Sequence, residues 1–287
     1  MTQIPAIRLQ EYRERTFRLA PELRLGSIEE ALAFVKARGF VYFWPIKGAN
    51  LPNLWVAVAG QRPVADAHDD PGHVTWRWKD GMLDKRQWYY AKILRGKATM
   101  IALDVAPLFY ALSENYGDPE HDYLQLYEDG LLSREAKLIY ETLLREGPLD
   151  TVNLRRKIHM TGKASNSPFE RGLTNLQRDF KILPVGIAEA GAWRYSFIYD
   201  LVPRHYPDLP QQARPIRRGQ ARQKLLSLYF TSMGAATAAQ ARKLFQWPKK
   251  DLDRALTFLV EMGAVRPGLR VEGQAGEYFV LPELTNG

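Results

Sequence analysis

The sequence predicts an α+β fold dominated by helices and organised as three consecutive winged-helix units. Three observations predict it: an internal repeat in the second half, an amphipathic third helix in each copy, and an apolar hairpin after that helix. Residues 137–156 align with residues 224–243 at an offset of 87. Both segments read as a helix ending at a glycine, Gly147 or Gly234, then a second helix closing on a basic pair, Arg155-Arg156 or Arg242-Lys243. With four residues dropped from the loop around 161–166, the match continues at an offset of 83. There Phe169, Leu173, Leu176 and Ile182 face Leu252, Leu256, Leu259 and Val265. Self-similarity of this kind marks two copies of one supersecondary unit.

Each element of the unit has a local reason. Phe169, Leu173, Leu176 and Phe180 recur with the period of one helix face, which leaves Arg171, Thr174, Asn175 and Arg178 pointing outward. Ser167-Pro168 is a good cap and first-turn pair for that helix. The runs ILPVGIA and WRYSFIY, either side of Glu189-Ala190-Gly191, read as a hairpin. Three helices and a hairpin in this order make a winged helix, whose third helix enters the major groove of DNA. In the second copy the outward positions are Lys249, Lys250, Arg254 and Thr257, and the hairpin joins 265–271 to 276–281.

A more divergent unit is read at the front, over 27–132. Ser27 caps a helix at 28–38, with Glu29 and Glu30 in its first turn complementing the helix dipole. Residues 40–44 form an aromatic strand, 51–59 and 81–88 are short helical candidates, and the runs 89–94 and 98–104 flank a tight turn at Arg95-Gly96-Lys97. A helix at 105–116 and an acidic connector at 117–130 follow. Residues 1–26 are then an N-terminal extension, and 133–201 and 220–287 are the two repeated units. The stretch 202–219, with Pro203, Pro207, Pro210 and Pro215, is a semi-rigid basic linker.

Composition narrows the function. With 46% apolar and 25% charged residues the chain is globular rather than disordered. It has no apolar run of the roughly 18–20 residues that a membrane span needs, and no secretory h-region at its start. It has no cysteine, so disulfides and thiolate metal sites are excluded. A cytoplasmic, nucleoid-associated protein is expected, working as a monomer without a cofactor. The net charge is +8, and from Gln212 to Val271 twelve Lys/Arg stand against Asp251, Asp253 and Glu261. That concentrated surplus is the footprint of a polyanion, here double-stranded DNA. Arg171, Asn175, Arg178, Lys249, Lys250 and Arg254 are placed to reach bases or phosphates, and Arg214, Arg217, Arg218 and Arg222 suit backbone phosphates. Ion pairs to Glu170, Asp179, Asp251 and Asp253 are the competing use of these side chains.

Two further segments carry a resemblance. ALAFVKARGFVYFWPIKGANLPNLWVAVAG combines a helix, a glycine turn, an aromatic strand and a second helix, and VTWRWKDGMLDKRQW is a Trp-rich segment. Their order, ahead of tandem winged helices, resembles the tandem winged-helix DNA glycosylase superfamily, the AlkZ-type alkylpurine and interstrand-crosslink repair enzymes. The likeness runs from about Ser27 onward. It implies a Gln-x-Gln or Gln-x-Asp pair on the strand, holding the water that attacks the sugar, yet those positions are Tyr42 and Trp44 here. The histidine that ends the family's aromatic segment falls at Asp80. Family members continue into a C-terminal β-barrel beyond the point where this sequence stops.

The densest polar cluster outside the basic region is Asp66-Ala67-His68-Asp69-Asp70-Pro71-Gly72-His73, followed by Trp76, Trp78, Lys79 and Asp80. Base excision needs a carboxylate or amide to position water and aromatic walls around the base. Asp80, Asp69 and Asp70 are the candidate catalytic carboxylates, with Asp80 favoured because it is taken to begin a helix. Tyr42, Trp44, Trp76 and Trp78 are the candidate base pocket. The competing reading is a surface loop turning at Asp70-Pro71-Gly72 with the tryptophans in the core. His68, Asp69, Asp70 and His73 match no defined ligand spacing, and no metal is expected. Two functions stand side by side: a DNA-repair protein that excises alkylated or crosslinked bases, and a non-enzymatic DNA-binding protein such as a transcriptional regulator.

Overall fold

The computed structural model describes residues 3–64, 66–67, 69–191 and 194–285. It is α+β with helices dominant, and the chain enters through β1 (Gln3–Ile4) and α1 (Ala6–Phe17). A six-element unit follows: α2 (Ile28–Arg38), β2 (Phe40–Tyr42), α3 (Leu54–Ala59), α4 (Val74–Asp80), β3 (Tyr89–Lys92) and β4 (Ala98–Ile101). Two short helices, α5 (Ala106–Tyr110) and α6 (Asp122–Glu128), lead into α7 (Arg134–Glu146), β5 (Leu149–Asp150), α8 (Thr151–Lys157), α9 (Asn166–Arg178), β6 (Ile182–Ala188) and β7 (Ser196–Leu201). After α10 (Val202–His205) and α11 (Leu209–Ala213) come α12 (Arg218–Met233), β8 (Ala235–Ala236), α13 (Ala238–Phe245), α14 (Lys249–Glu261), β9 (Arg266–Val271) and β10 (Tyr278–Val280). Three times, therefore, three helices precede a hairpin. The sheet orders β2-β4-β3, β5-β7-β6 and β1-β9-β10-β8 show the same pairing, with the short strand after the first helix laid on the last strand of the hairpin.

Local chemistry explains the ends of these elements. Ser27 accepts a hydrogen bond from the Glu30 amide, Ser133 from Ala136, and Thr237 and Gln240 cap α13 reciprocally. The apolar stripe of α9 is buried as its period requires, at Phe169, Leu173 and Leu176. The helix starts at Asn166, and Ser167 does not cap it but accepts from the Arg171 guanidinium at 2.6 Å.

Packing gathers the units unequally. The first and third share one core, in which Phe40 meets Phe109 and Phe245 at ring distances of 5.4 and 5.9 Å. The second keeps its own core of Ile139, Leu143, Phe169, Leu173 and Leu176. It joins the first where the Gln177 side chain accepts from the Lys92 amide at 3.1 Å and Phe180 stacks on Tyr89 at 4.6 Å.

Several segments differ from their sequence reading. Residues 81–88 form turns, not a helix, because α4 ends before them. The helix expected over 105–116 stops at Tyr110, and the expected connector contains α6, whose first residue, Asp122, accepts the Tyr116, Gly117 and Asp118 amides and so closes the loop before it. The expected linker is no spacer: Val202, His205, Leu209 and Ala213 are buried, and α11 lies on α5. The expected N-terminal extension is part of the third unit, since β1 pairs in parallel with β9 and α1 packs on α12. His68 and Trp193 lie outside the described residues.

Candidate functional site

The Trp-rich segment forms α4, with Asp80 as its last residue. The expectation that Asp80 begins a helix is therefore corrected: it sits where the dipole is unfavourable to a carboxylate. Its compensation is local. The Lys79 ammonium lies 2.7 Å from Asp80 Oδ1, and the Tyr195 hydroxyl donates to the same oxygen at 2.9 Å. Lys79 in turn donates to the Tyr195 oxygen at 2.8 Å. The Lys79 side chain is only 1% exposed, whereas Asp80 is 24% exposed. Asp80 Oδ2 has no hydrogen-bond partner among the described residues.

Aromatic rings enclose the ammonium. Its nitrogen is 4.5 Å from the Phe197 ring centre, 4.7 Å from Trp76, and 5.5 Å from Phe43, Tyr90 and Tyr195. Burial holds the Lys79 pKa below its ordinary value, with Asp80 opposing the shift, and burial together with Asp80 drives the Tyr195 hydroxyl well above its own. Ring quadrupoles and one carboxylate thus replace the lost hydration of a cation. Neither Lys79 nor Tyr195 is among the site residues expected from the sequence. Lys79 is legible there only as part of WRWKD, and Tyr195 carries no local signal because it reaches the cluster across 115 residues.

The other candidates divide. Trp44 and Trp76 meet at 5.7 Å beside Phe43, with Trp76 38% exposed. Tyr42 is fully buried, its hydroxyl turned to the Leu94 carbonyl, and Trp78 is buried in the shared core; neither lines a base pocket. Asp70 is committed to structure: it accepts from the Gly72 amide at 2.7 Å and pairs with Arg62 at 2.5 Å, which holds its carboxyl below the usual range. Asp69 is exposed and is not among the hydrogen-bond partners of Asp80, Lys79 or Tyr195. Among the described residues no group of three or more His, Asp or Glu side chains is placed to hold a metal ion.

The basic residues divide as well. The outward face of α9 is partly covered, because Thr174 touches Gly96 in the turn of the first hairpin and lies 3.5 Å from the Lys92 ammonium. Arg171 stays exposed and Asn175 half-buried, while Arg178 pairs with Asp179 at 3.1 Å. Arg222 is largely buried, 3.2 Å from Asp251 and over the Trp247 ring at 6.0 Å, so its guanidinium is engaged within the fold. Arg218 is tied to Glu114 and to the Leu112 carbonyl. Arg214 and Arg217 are exposed. On α14, Lys249 pairs with Asp253 at 2.6 Å, whereas Lys250 and Arg254 are exposed one turn apart and hold no ion pair among the described residues.

A family model described as "AlkZ related" matches residues 25–246, most of the chain. The chain belongs to the AlkZ-related family. Comparison with curated proteins gives no match. Among solved structures, the Streptomyces sahachiroi DNA glycosylase AlkZ is similar, with a TM-score of 0.59 at 14% identity over 98% of this chain and 71% of that one. The shared feature is the fold. Within this AlkZ-related chain, the strand positions to which the resemblance assigns a glutamine pair lie in β2 and just beyond it. Tyr42 there is sealed in the core and Trp44 joins the rings around Lys79 through Phe43 and Trp76.

Proposed function

We propose that the protein binds duplex DNA through the solvent face of α14 as a single chain, and that it acts as a DNA-repair glycosylase with Asp80 as the carboxylate at the reacting centre. One observation carries the binding half: Lys250 and Arg254 are exposed on the third helix of the last unit and hold no ion pair among the described residues, within the segment 212–271 where twelve Lys/Arg stand against three acids. An unpaired surface cation retains its full attraction for phosphate. Arg217 and Arg218 begin the helix whose next turn, at Arg222, touches α14, and Arg217 is exposed there. Lys249, Arg214 and Arg171 are further exposed basic residues offered to the same partner.

The chemistry follows from which oxygen of Asp80 is occupied. Lys79 and Tyr195 both take Oδ1, which fixes the carboxylate and leaves Oδ2 to hold water. A water at Oδ2 adds its oxygen to the sugar C1′ as the C1′–N bond breaks. Its proton passes to Oδ2, and the bonding pair leaves with the base. Trp76 and Trp44 offer the flat surfaces against which a displaced base rests. A second reading, a DNA-binding protein without chemistry, is favoured by Tyr42 and Trp44 at the strand positions of the glutamine pair.

Base release from alkylated and crosslinked duplexes, followed with an abasic-site probe, separates the two. Asp80→Asn should lower the rate by about 10²–10⁴ with duplex affinity unchanged, as expected for loss of a general base. Wild-type protein that binds DNA and releases no base establishes the non-enzymatic reading. For the binding surface, Lys250→Ala with Arg254→Ala should flatten the plot of log K against log salt by about 0.9 for each phosphate that is no longer neutralised. An unchanged slope removes α14 from the interface.

A further inference from the structure

The three units meet around a cleft of about 480 Å³ whose lining includes neither Lys79 nor Asp80. Apolar walls come from Leu126 and Leu131 of the connection, Phe109 of α5, and Phe245 and Trp247 at the junction of α13 and α14. Phe245 and Trp247 stack at 4.2 Å with their planes 16° apart, so this part of the wall is a pair of parallel rings. Leu131 is largely exposed at the rim.

The charges in this cleft are satisfied with one exception. Arg178 pairs with Asp179 at 3.1 Å, Glu114 is held by Arg218, and the Lys181 ammonium donates to Asn115 Oδ1 at 2.8 Å. Arg95, in the turn of the first hairpin, makes no ion pair or side-chain hydrogen bond among the described residues, and its Nη1 is buried without a partner. A buried guanidinium nitrogen left unsatisfied costs free energy that a bound acceptor would recover. Arg95 is also held at a φ of 56°, a left-handed conformation that a non-glycine residue rarely adopts. Backbone conformations of this kind persist only where the surrounding structure over-determines them.

We propose that this cleft binds one nucleotide unit, with its phosphate on Arg95 and its base against the Phe245–Trp247 wall. The guanidinium fork matches phosphate geometry, and aromatic faces accept any base. A nucleotide is favoured over other flat anions because only Pro248 separates Trp247 from Lys249 and Lys250, the start of the basic face of α14. In this respect the proposal rests on the DNA-binding reading. The unit comes either from a strand held on that face or from solution.

The test measures free deoxynucleoside monophosphate by calorimetry and, separately, duplex DNA carrying a fluorescent adenine analogue. In wild type, calorimetric binding of the monophosphate identifies a nucleotide from solution, and a change in analogue emission on saturation with duplex identifies one from the strand. Arg95→Gly should raise the melting temperature, because glycine accepts the left-handed backbone without strain. The same variant should weaken monophosphate binding about ten-fold or more, or abolish the emission change, as loss of a charged hydrogen bond requires. Arg95→Gln, which keeps the length of the side chain without its charge, should show the binding loss without the gain in stability. Unchanged binding in both variants overturns the proposal, as does wild type that binds duplex while giving neither signal. That last result leaves the DNA-binding reading standing. Monophosphate binding without duplex binding keeps the cleft and removes the DNA-binding reading, and failure of both ligands removes both.

Discussion

Arg222 sits between the Asp251 carboxylate, 3.2 Å away, and the Trp247 ring, with its Nε buried and unpartnered. Burial lowers its pKa and Asp251 opposes the shift, so the pair is a structural tie between α12 and α14. Removing one partner leaves the other charge desolvated and unpaired. Arg222→Ala should therefore cost about 2–4 kcal/mol in denaturant unfolding, while leaving the salt dependence of DNA binding unchanged. A flattened slope with unaltered stability would return Arg222 to the interface. His205 gives a pH signature of the same kind. Its Nε2 donates to the Leu83 carbonyl at 3.2 Å, and burial, reinforced by Arg86, holds its pKa below the ordinary value. The neutral ring is the form the fold accepts. Stability from this site is complete above about pH 6.5 and is lost as pH falls from there through the folded-state value. Melting temperatures taken between pH 7 and 5 should fall more steeply for wild type than for His205→Gln. At this scale the sequence supplied the charge and polarity of each side chain, and burial decided its use: Asp70 to Arg62, Arg222 to Asp251, Asp80 to Lys79.

Among the elements, α9 shows what a periodic pattern can and cannot specify. Leu173 lies on the buried stripe that its spacing predicts, and Leu173→Ala should cost about 2–5 kcal/mol by opening a cavity in the core of the second unit. Gly172 is silent in the sequence. A Cβ there would stand 3.1 Å from Ile139 Cδ1 and 3.2 Å from the Ala136 amide nitrogen, so this glycine lets α7 and α9 approach closely. Gly172→Ala should destabilise the protein even though alanine is the better helix former by about 1 kcal/mol. A rise in melting temperature would show that the crossing has room. The exposed face of α9 is legible as polar, but the hairpin turn that covers part of it belongs to another unit. Helix α4 escapes the pattern altogether, because seven residues span too few turns for a period to register.

In the whole molecule the two ends of the chain complete one unit. β1 extends the third sheet, and Tyr12 of α1 donates to the Thr231 carbonyl at 2.6 Å. At Gly234, whose φ is 71°, a Cβ would lie 2.7 Å from the Tyr12 ring and 2.9 Å from Leu284. Ile4, Leu9, Tyr12 and Phe17 are buried, and together their burial contributes on the order of 10 kcal/mol. That is comparable with the whole stability of an ordinary domain. Removing residues 1–17 should therefore leave the third unit open to limited proteolysis and abolish cooperative unfolding. A truncated chain that melts as sharply as the full one would show that β1 and α1 are dispensable.

The sequence by itself determined what depends on neighbours along the chain. The repeat, the cap at Ser27, the apolar stripe of α9 and the basic surplus over 212–271 were all legible, because helix period and turn chemistry act within a few residues. Tertiary structure alone decided which groups meet. It brought Tyr195 to Lys79 and Asp80 across more than a hundred residues, and it placed Arg95 in a cleft lined by all three units. It also turned an expected linker and an expected extension into parts of the core. The reason is that burial is collective: a side chain's solvation, and with it the cost of its charge, is set by whatever surface folds over it, and that surface is supplied from distant parts of the chain.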